Sequence, residues 1–175
     1  MQDIKPLIFD SSRRSAMHSV DAIIKNPSLL KAFIDLAFSD VHQFSMRAAN
    51  VIEKYDAKVP CVTESYLDAI LQYIIETKNE GVKRCFLKLF THYSFEENEK
   101  IQGLLVNYCF QWLSSTDESI AIRYYCMHIL YSISNYIPEL KPELAATIEI
   151  ILEQGDKSLK TQGGKFLRKL NKEMH

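Results

Sequence analysis

Apolar residues recur three and four positions apart along almost the whole chain, and strict alternation is rare. That spacing belongs to helices with one buried face and not to half-buried strands. The breaks in the pattern divide it into about nine helices. The first is expected over Ser12 to Lys25 and stops at Asn26-Pro27, because the residue before a proline is pushed out of the helical region. Ser28 is available to cap the second, which reaches Phe38. The third runs from His42 to Tyr55 and ends before Val59-Pro60; the fourth covers Glu64 to Thr77, with Thr63 as its cap. The fifth is expected over Glu80 to Tyr93 after Lys78-Asn79, and the sixth over Asn98 to Leu113. The seventh spans Glu118 to Tyr136 with Thr116 or Asp117 as cap, the eighth Pro142 to Glu153 and the ninth Ser158 to Glu173.

These helices come in pairs, and the pairs recur. The short turns inside a pair are Ser39-Asp40, Lys78-Asn79, Thr116-Asp117 and Gly155-Asp156. Their Asp or Asn residues stand at 40, 79, 117 and 156, which are 39, 38 and 39 apart. A basic residue follows each one early in the next helix: Arg47, Arg84, Arg123 and Lys160. A fixed period of this size marks a stacked array, since one helical hairpin cannot cover its own apolar faces and neighbours must do it. The pattern of Asp40 with Arg47-Ala48-Ala49, Asn79 with Arg84 and Asp117 with Arg123 resembles HEAT-like repeats of the armadillo superfamily, over about residues 12–173. The resemblance implies an all-α fold, a right-handed α-α superhelix (solenoid) of about four and a half hairpins forming one domain over residues 1–175. The tetratricopeptide repeat, with a period of about 34 and its own aromatic signature, fits less well. The fourth repeat departs from the pattern at Thr161-Gln162-Gly163-Gly164. Two adjacent glycines inside a helix cost on the order of 2 kcal/mol in propensity. Either the last helix starts after them or a neighbouring backbone comes close there.

Composition changes this picture little and charge changes it somewhat. The chain has 175 residues, 47% apolar and 25% charged, with five Gly and five Pro, enough to bury one core and too few turn-formers for a sandwich. Twenty-one Lys and Arg face 22 Asp and Glu, so a positive field can arise only where cations cluster. They do so at the end of the chain: Lys157, Lys160, Lys165, Arg168, Lys169 and Lys172 stand against Asp156 and Glu173. A charge run on a terminal helix reads first as the solvated cap of the array. Cys61, Cys85, Cys109 and Cys126 are far apart, with no C-x-x-C pair and no apolar leader near the first residues, and this reads as a cytoplasmic protein with reduced thiols. The longest uncharged run, 101–116, holds Gln102, Asn107 and Gln111 and is short for a membrane span.

Candidate chemistry is sparse. The five histidines form no H-x-x-x-H pair, and Cys126 and His128 lie on different sides of a helix, which argues against zinc. No glycine-rich phosphate loop occurs, so no cofactor is implied. The Asp and Arg positions at the turns read as helix caps and inter-repeat hydrogen bonds before they read as catalysts, although the arginines do not hold one angle to their apolar stripes. Trp112 shares a face with Ile101, Leu105 and Cys109, which is a core stripe; Cys61 beside Pro60 is the expected exposed thiol. Helical lyases of the fumarase and adenylosuccinate type are much longer and carry a mobile-loop signature missing here, so an adenylosuccinate-lyase assignment is not supported.

The strongest candidate surface is the outer face of the second helices. The seventh helix carries one stripe of Ile122, Tyr125, Ile129, Ile133 and Tyr136, and opposite it a second of Ile120, Tyr124, Met127 and Tyr131. The second stripe either packs against the next repeat or forms an aromatic docking patch. The matching stripes are Arg84, Lys88 and His92 on the fifth helix, and Gln43, Arg47, Asn50 and Lys54 on the third. If second helices line the concave side, as the resemblance implies, the groove grades from basic to aromatic and suits an acidic peptide bearing Tyr or Phe. The expected function is a non-enzymatic scaffold that binds a protein partner through Arg47, Asn50, Arg84, Lys88, His92, Tyr124, Met127 and Tyr131. The alternative is a small nucleic-acid-associated protein related in architecture to the alkylpurine DNA glycosylases. Weak self-association through an uncapped end hairpin is the further expectation.

Overall fold

A computed structural model describes residues 4–39, 41–153 and 157–174, and every regular element among them is helical. Asp40 and the Gly155-Asp156 pair, two of the expected intra-pair turns, lie outside the described residues. The chain divides into two compact units, Met1–His92 and Tyr93–His175.

In the first unit a short 3-10 turn, Lys5–Leu7, precedes α1 (Arg13–Lys25), α2 (Leu29–Ala37), α3 (His42–Lys58), α4 (Leu67–Glu76) and α5 (Glu80–Phe90). Helices α2 and α3 form a hairpin, α4 pairs with α5, and α3 packs against both α1 and α5. The leading helix and the second helix of each pair therefore stand side by side in order. The spacing of three and four puts Val20, Ile23, Phe33, Ile52, Ile70 and Phe86 in the interior, all fully buried. Each such side chain contributes roughly 1.5–3 kcal/mol relative to exposure. Helix α5 comes very near α3 at its start: a Cβ on Gly81 would meet the Met46 Cγ at 2.6 Å.

The second unit holds α6 (Glu99–Ser114), α7 (Ile120–Ser134), α8 (Leu140–Glu153) and α9 (Lys157–Met174). Here α6 pairs with α7, α8 pairs with α9, and α7 also packs against α8 and α9. The stripe of Ile101, Leu105, Cys109 and Trp112 is buried as its spacing requires. Nine α-helices are thus found among the described residues.

The caps hold in some places and fail in others. Ser12, Asn79 and Asn98 each accept a bond from the backbone N–H three residues on, satisfying donors that a helix start leaves unpaired. Ser28 makes no cap bond; its hydroxyl lies 2.6 Å from Asn26 Oδ1. Thr63 does not cap α4, because its hydroxyl donates to Asp56 Oδ1 at 2.7 Å and the first turn, Glu64–Tyr66, is 3-10. Nor does Thr116 or Asp117 cap α7, which starts at Ile120 after Ser119. The Asp117 N–H is drawn to the Ser115 hydroxyl at 3.2 Å, a local bond that competes with helix. Gly163 and Gly164 do not interrupt α9, which runs through both. The close neighbour at Gly163 is side chain and not backbone: a Cβ there would meet Ile148 Cγ2 and Leu152 Cδ2 of α8 at 3.3 Å.

Candidate functional site

In the first unit the outer sides of α1, α3 and α5 enclose a shallow groove of about 450 Å³, lined by Arg13, Met17, Glu53, Lys54, Ala57, Lys58 and Lys88. Four cations surround one carboxylate. The carboxylate of Glu53 is 3% exposed, an expensive position for a charge unless partners compensate it. Lys88 Nζ of α5 supplies the main compensation at 2.8 Å from Oε1, Lys54 Nζ lies 3.6 Å from Oε2, and His92 Nε2 lies 3.8 Å from Oε1. One turn further along α3, the buried Asp56 accepts from the Thr63 N–H and hydroxyl and faces His92 Nδ1 at 3.3 Å. Lys58 at the rim is held by Asp21 of α1 at 2.8 Å, and that pair keeps the Asp21 carboxyl below the usual carboxylate range.

The predicted basic stripe is thereby sorted. Lys88 and His92 turn onto the acids of α3, while Arg84 is exposed and Asn50 is half-buried. Arg47 faces the chain before α1: its guanidinium donates to the carbonyls of Ile8 at 3.3 Å and Phe9 at 3.0 Å and to the Ser11 hydroxyl at 3.3 Å. Inter-repeat bonding of the expected kind is seen at Asn79, whose amide donates to the His42 carbonyl at 3.4 Å. The arginines do not repeat it. Arg123 is 4% exposed and donates to Leu113 O of the preceding helix at 2.9 Å, so Arg47, Arg84 and Arg123 have three different environments.

Glu53 and Asp56 escaped the sequence reading. A signal was present: they are one helical turn apart and precede Lys88 and His92 by roughly one repeat, so stacked second helices oppose acid to base.

In the second unit α9 packs along α7 and covers part of the second stripe. Met127 is buried, and Tyr124 and Tyr131 are half-buried. Tyr124 Oη and His128 Nε2 are 2.8 Å apart, and the His128 ring meets Phe166 of α9 edge-on with centroids 4.8 Å apart. Burial, followed by the Lys169 charge, holds the His128 pKa below its ordinary value. Tyr131 packs on Phe166 at 5.5 Å, carries Lys169 over its ring and donates to Glu173 at 2.5 Å. That bond pushes the Tyr131 phenol up, while Lys141 at 2.8 Å, followed by Tyr131, holds Glu173 down. The choice left open by the sequence, docking patch or inter-repeat packing, falls to packing for Met127, while Tyr124 and Tyr131 stay partly exposed and Ile120 is 48% exposed.

Among the described residues no cluster of three or more His, Cys, Asp or Glu is arranged to hold a metal, and no helix is long and apolar enough to cross a membrane. Cys61 is exposed and Cys85, Cys109 and Cys126 are buried; burial raises the Cys85 thiol pKa. A family model for the HEAT repeat domain matches residues 6–170.

The chain belongs to the HEAT repeat family. The match takes in both units, so the ordered helical pairs of each are HEAT repeats. No curated protein and no solved structure matches the chain significantly. HEAT repeats are a scaffold that often mediates protein interactions, and their function lies in the surface each member displays.

Proposed function

We propose that the protein is a non-enzymatic interaction module of the cytoplasm that holds an acidic peptide segment of a partner protein along the second-helix face of its first unit. The single observation that carries this reading is the groove over α1, α3 and α5, where Arg13, Lys54, Lys58 and Lys88 outnumber Glu53 and the neighbouring Asp21 and where Met17 and Ala57 supply apolar floor. Such a surface attracts carboxylates from a distance and offers a place for an apolar or aromatic side chain between them. Glu53 holds Lys88 and Asp21 holds Lys58, so these two cations are ordered before a ligand arrives. Arg84, one turn before Lys88 on α5, extends the basic side. The buried thiols support a reducing compartment.

The test is binding of a labelled acidic peptide containing tyrosine, alongside capture from native-host lysate. Arg13→Glu with Lys58→Glu, and separately Arg84→Glu with Lys88→Glu, should each weaken peptide binding by about 10-fold or more and remove the same captured proteins. Affinities and captured proteins unchanged by both double reversals would defeat the reading.

A further inference from the structure

The last helix presents a second charged surface that the groove does not use. Within α9, Leu159, Gly163, Phe166 and Leu170 are buried at spacings of four, three and four, and this seam faces α7 and α8. The opposite side is cationic. Lys165, Arg168, Lys169 and Lys172 follow at i, i+3, i+4 and i+7 and are all exposed; Lys160 is exposed too, but on the flank of the helix. The only carboxylate in α9, Glu173, is turned to Lys141 and Tyr131 and is thereby drawn away from this side. Among the described residues no carboxylate pairs with Lys160, Lys165, Arg168 or Lys172. A chain with net charge −1 thus gathers a local field of four positive charges on one helical face.

We propose that this face of α9 binds the phosphodiester backbone of nucleic acid without reading its sequence. Three kinds of surface attract cations: anionic membranes, acidic proteins and nucleic acids. A membrane-binding helix needs an apolar face to insert, and that of α9 is spent on packing against α7 and α8. A protein interface needs apolar or aromatic anchors within its charged rim; the one ring beside these cations, Tyr131, lies beneath Lys169 with its hydroxyl bound to Glu173 and so is already engaged. What does stand there is polar: Thr161 and Asn171 are exposed and can donate to phosphate oxygens. An array of cations and neutral donors whose one neighbouring ring is already engaged is the chemistry of backbone binding. From Lys165 to Lys172 the cationic face runs about 10 Å, the length of about three base-pair steps.

The number of cations fixes the test. Four phosphate contacts predict a slope of log affinity on log salt of about −3.6 for duplex DNA and about −2.8 for a single strand. The duplex affinity should fall about 150-fold between 50 and 200 mM salt, those concentrations being the standard comparison. The full chain would be titrated with a duplex DNA of about 20 base pairs and a single-stranded RNA of the same length, both of random sequence. Vesicles of phosphatidylserine and phosphatidylcholine serve as the membrane arm. The triple variant Lys165→Gln/Arg168→Gln/Lys172→Gln, all on exposed positions, should keep its helical circular dichroism and flatten the duplex slope to about −0.9. Lys25→Gln/Lys78→Gln, on exposed positions of the other unit, should leave the slope where it was. Failure to bind either nucleic acid at 50 mM salt would overturn the proposal, as would binding that the triple variant retains unchanged. Tighter binding to the vesicles than to either nucleic acid would overturn the ligand class. A steeper slope for duplex than for single strand, lost together in the triple variant, supports it.

Discussion

Gly81 and Gly103 are both inside helices, yet alanine should act oppositely at the two. A Cβ at Gly103 meets nothing within 4 Å, so Gly103→Ala should stabilise the protein by about 0.5–1 kcal/mol through helix propensity alone. At Gly81 the new methyl would press on Met46 Cγ and Cβ, atoms near the backbone of α3 that cannot swing away. Overpacking there should outweigh the propensity gain and leave Gly81→Ala about 1 kcal/mol less stable. Denaturant midpoints of the two variants decide it, and equal shifts of the same sign would deny the close approach. Arg47 offers a second case. Its bonds to the Ile8 and Phe9 carbonyls tie the opening segment to α3, so Arg47→Ala should lose about 1–2 kcal/mol and expose the backbone before α1 to faster proteolysis. Cleavage at wild-type rate would show that the segment is held by its apolar residues alone. Neither consequence was visible in the sequence, where Gly81 is one more small residue and Arg47 one member of a repeating basic position. Which atoms lie opposite them is settled by another helix.

At the scale of elements, the seam between α7 and α9 responds to acid. His128 lies between Tyr124 and Phe166 with a pKa held below the ordinary histidine value by burial and Lys169. The unfolded chain then takes up a proton at a pH where the folded one does not. Stability from this site is full above the ordinary value and is lost as pH falls through it towards the lower folded value. The fall in melting temperature between about pH 7 and pH 5 should therefore be smaller in His128→Gln than in wild type. Parallel curves would remove His128 as the cause. Helix positions themselves were well marked in the chain, because Asn26-Pro27 and Val59-Pro60 break a periodic pattern and Asn79 supplies a cap. Ends without such a marker moved: α7 starts two residues later than its spacing suggests, and α8 begins at Leu140 with Pro142 in its first turn. The two acids of the groove, Glu53 and Asp56, were missed for a related reason. On their own helix they resemble ordinary solvated charges, and only the register of α3 against α5 buries them beneath Lys88 and His92.

For the whole molecule, burial sorts four chemically equal thiols. Cys61 is exposed and three are buried, Cys85 with a raised pKa, so a native-state titration with a thiol reagent should find one fast group and three that react only on unfolding. Cys61→Ser should abolish the fast phase, and a second fast thiol would contradict the packing of α5, α6 or α7. The two proposed surfaces differ in the same physical way. The groove over α1, α3 and α5 combines cations with Met17 and Ala57, whereas the outward side of α9 is cationic and polar, and this is why peptide is proposed for the one and phosphate for the other.

Apolar spacing, proline breaks and a repeat of about 39 residues were enough to specify an all-helical chain, the order of its hairpins and its family, because each depends on neighbours along the chain. Which outer stripes face solvent was decided only by folding. Met127 was buried while Tyr124 and Tyr131 stayed half-buried, and Arg47, Arg84 and Arg123 took up three separate environments. A period of three and four names a face of a helix, but what covers that face depends on the angle and distance of another helix far away in sequence.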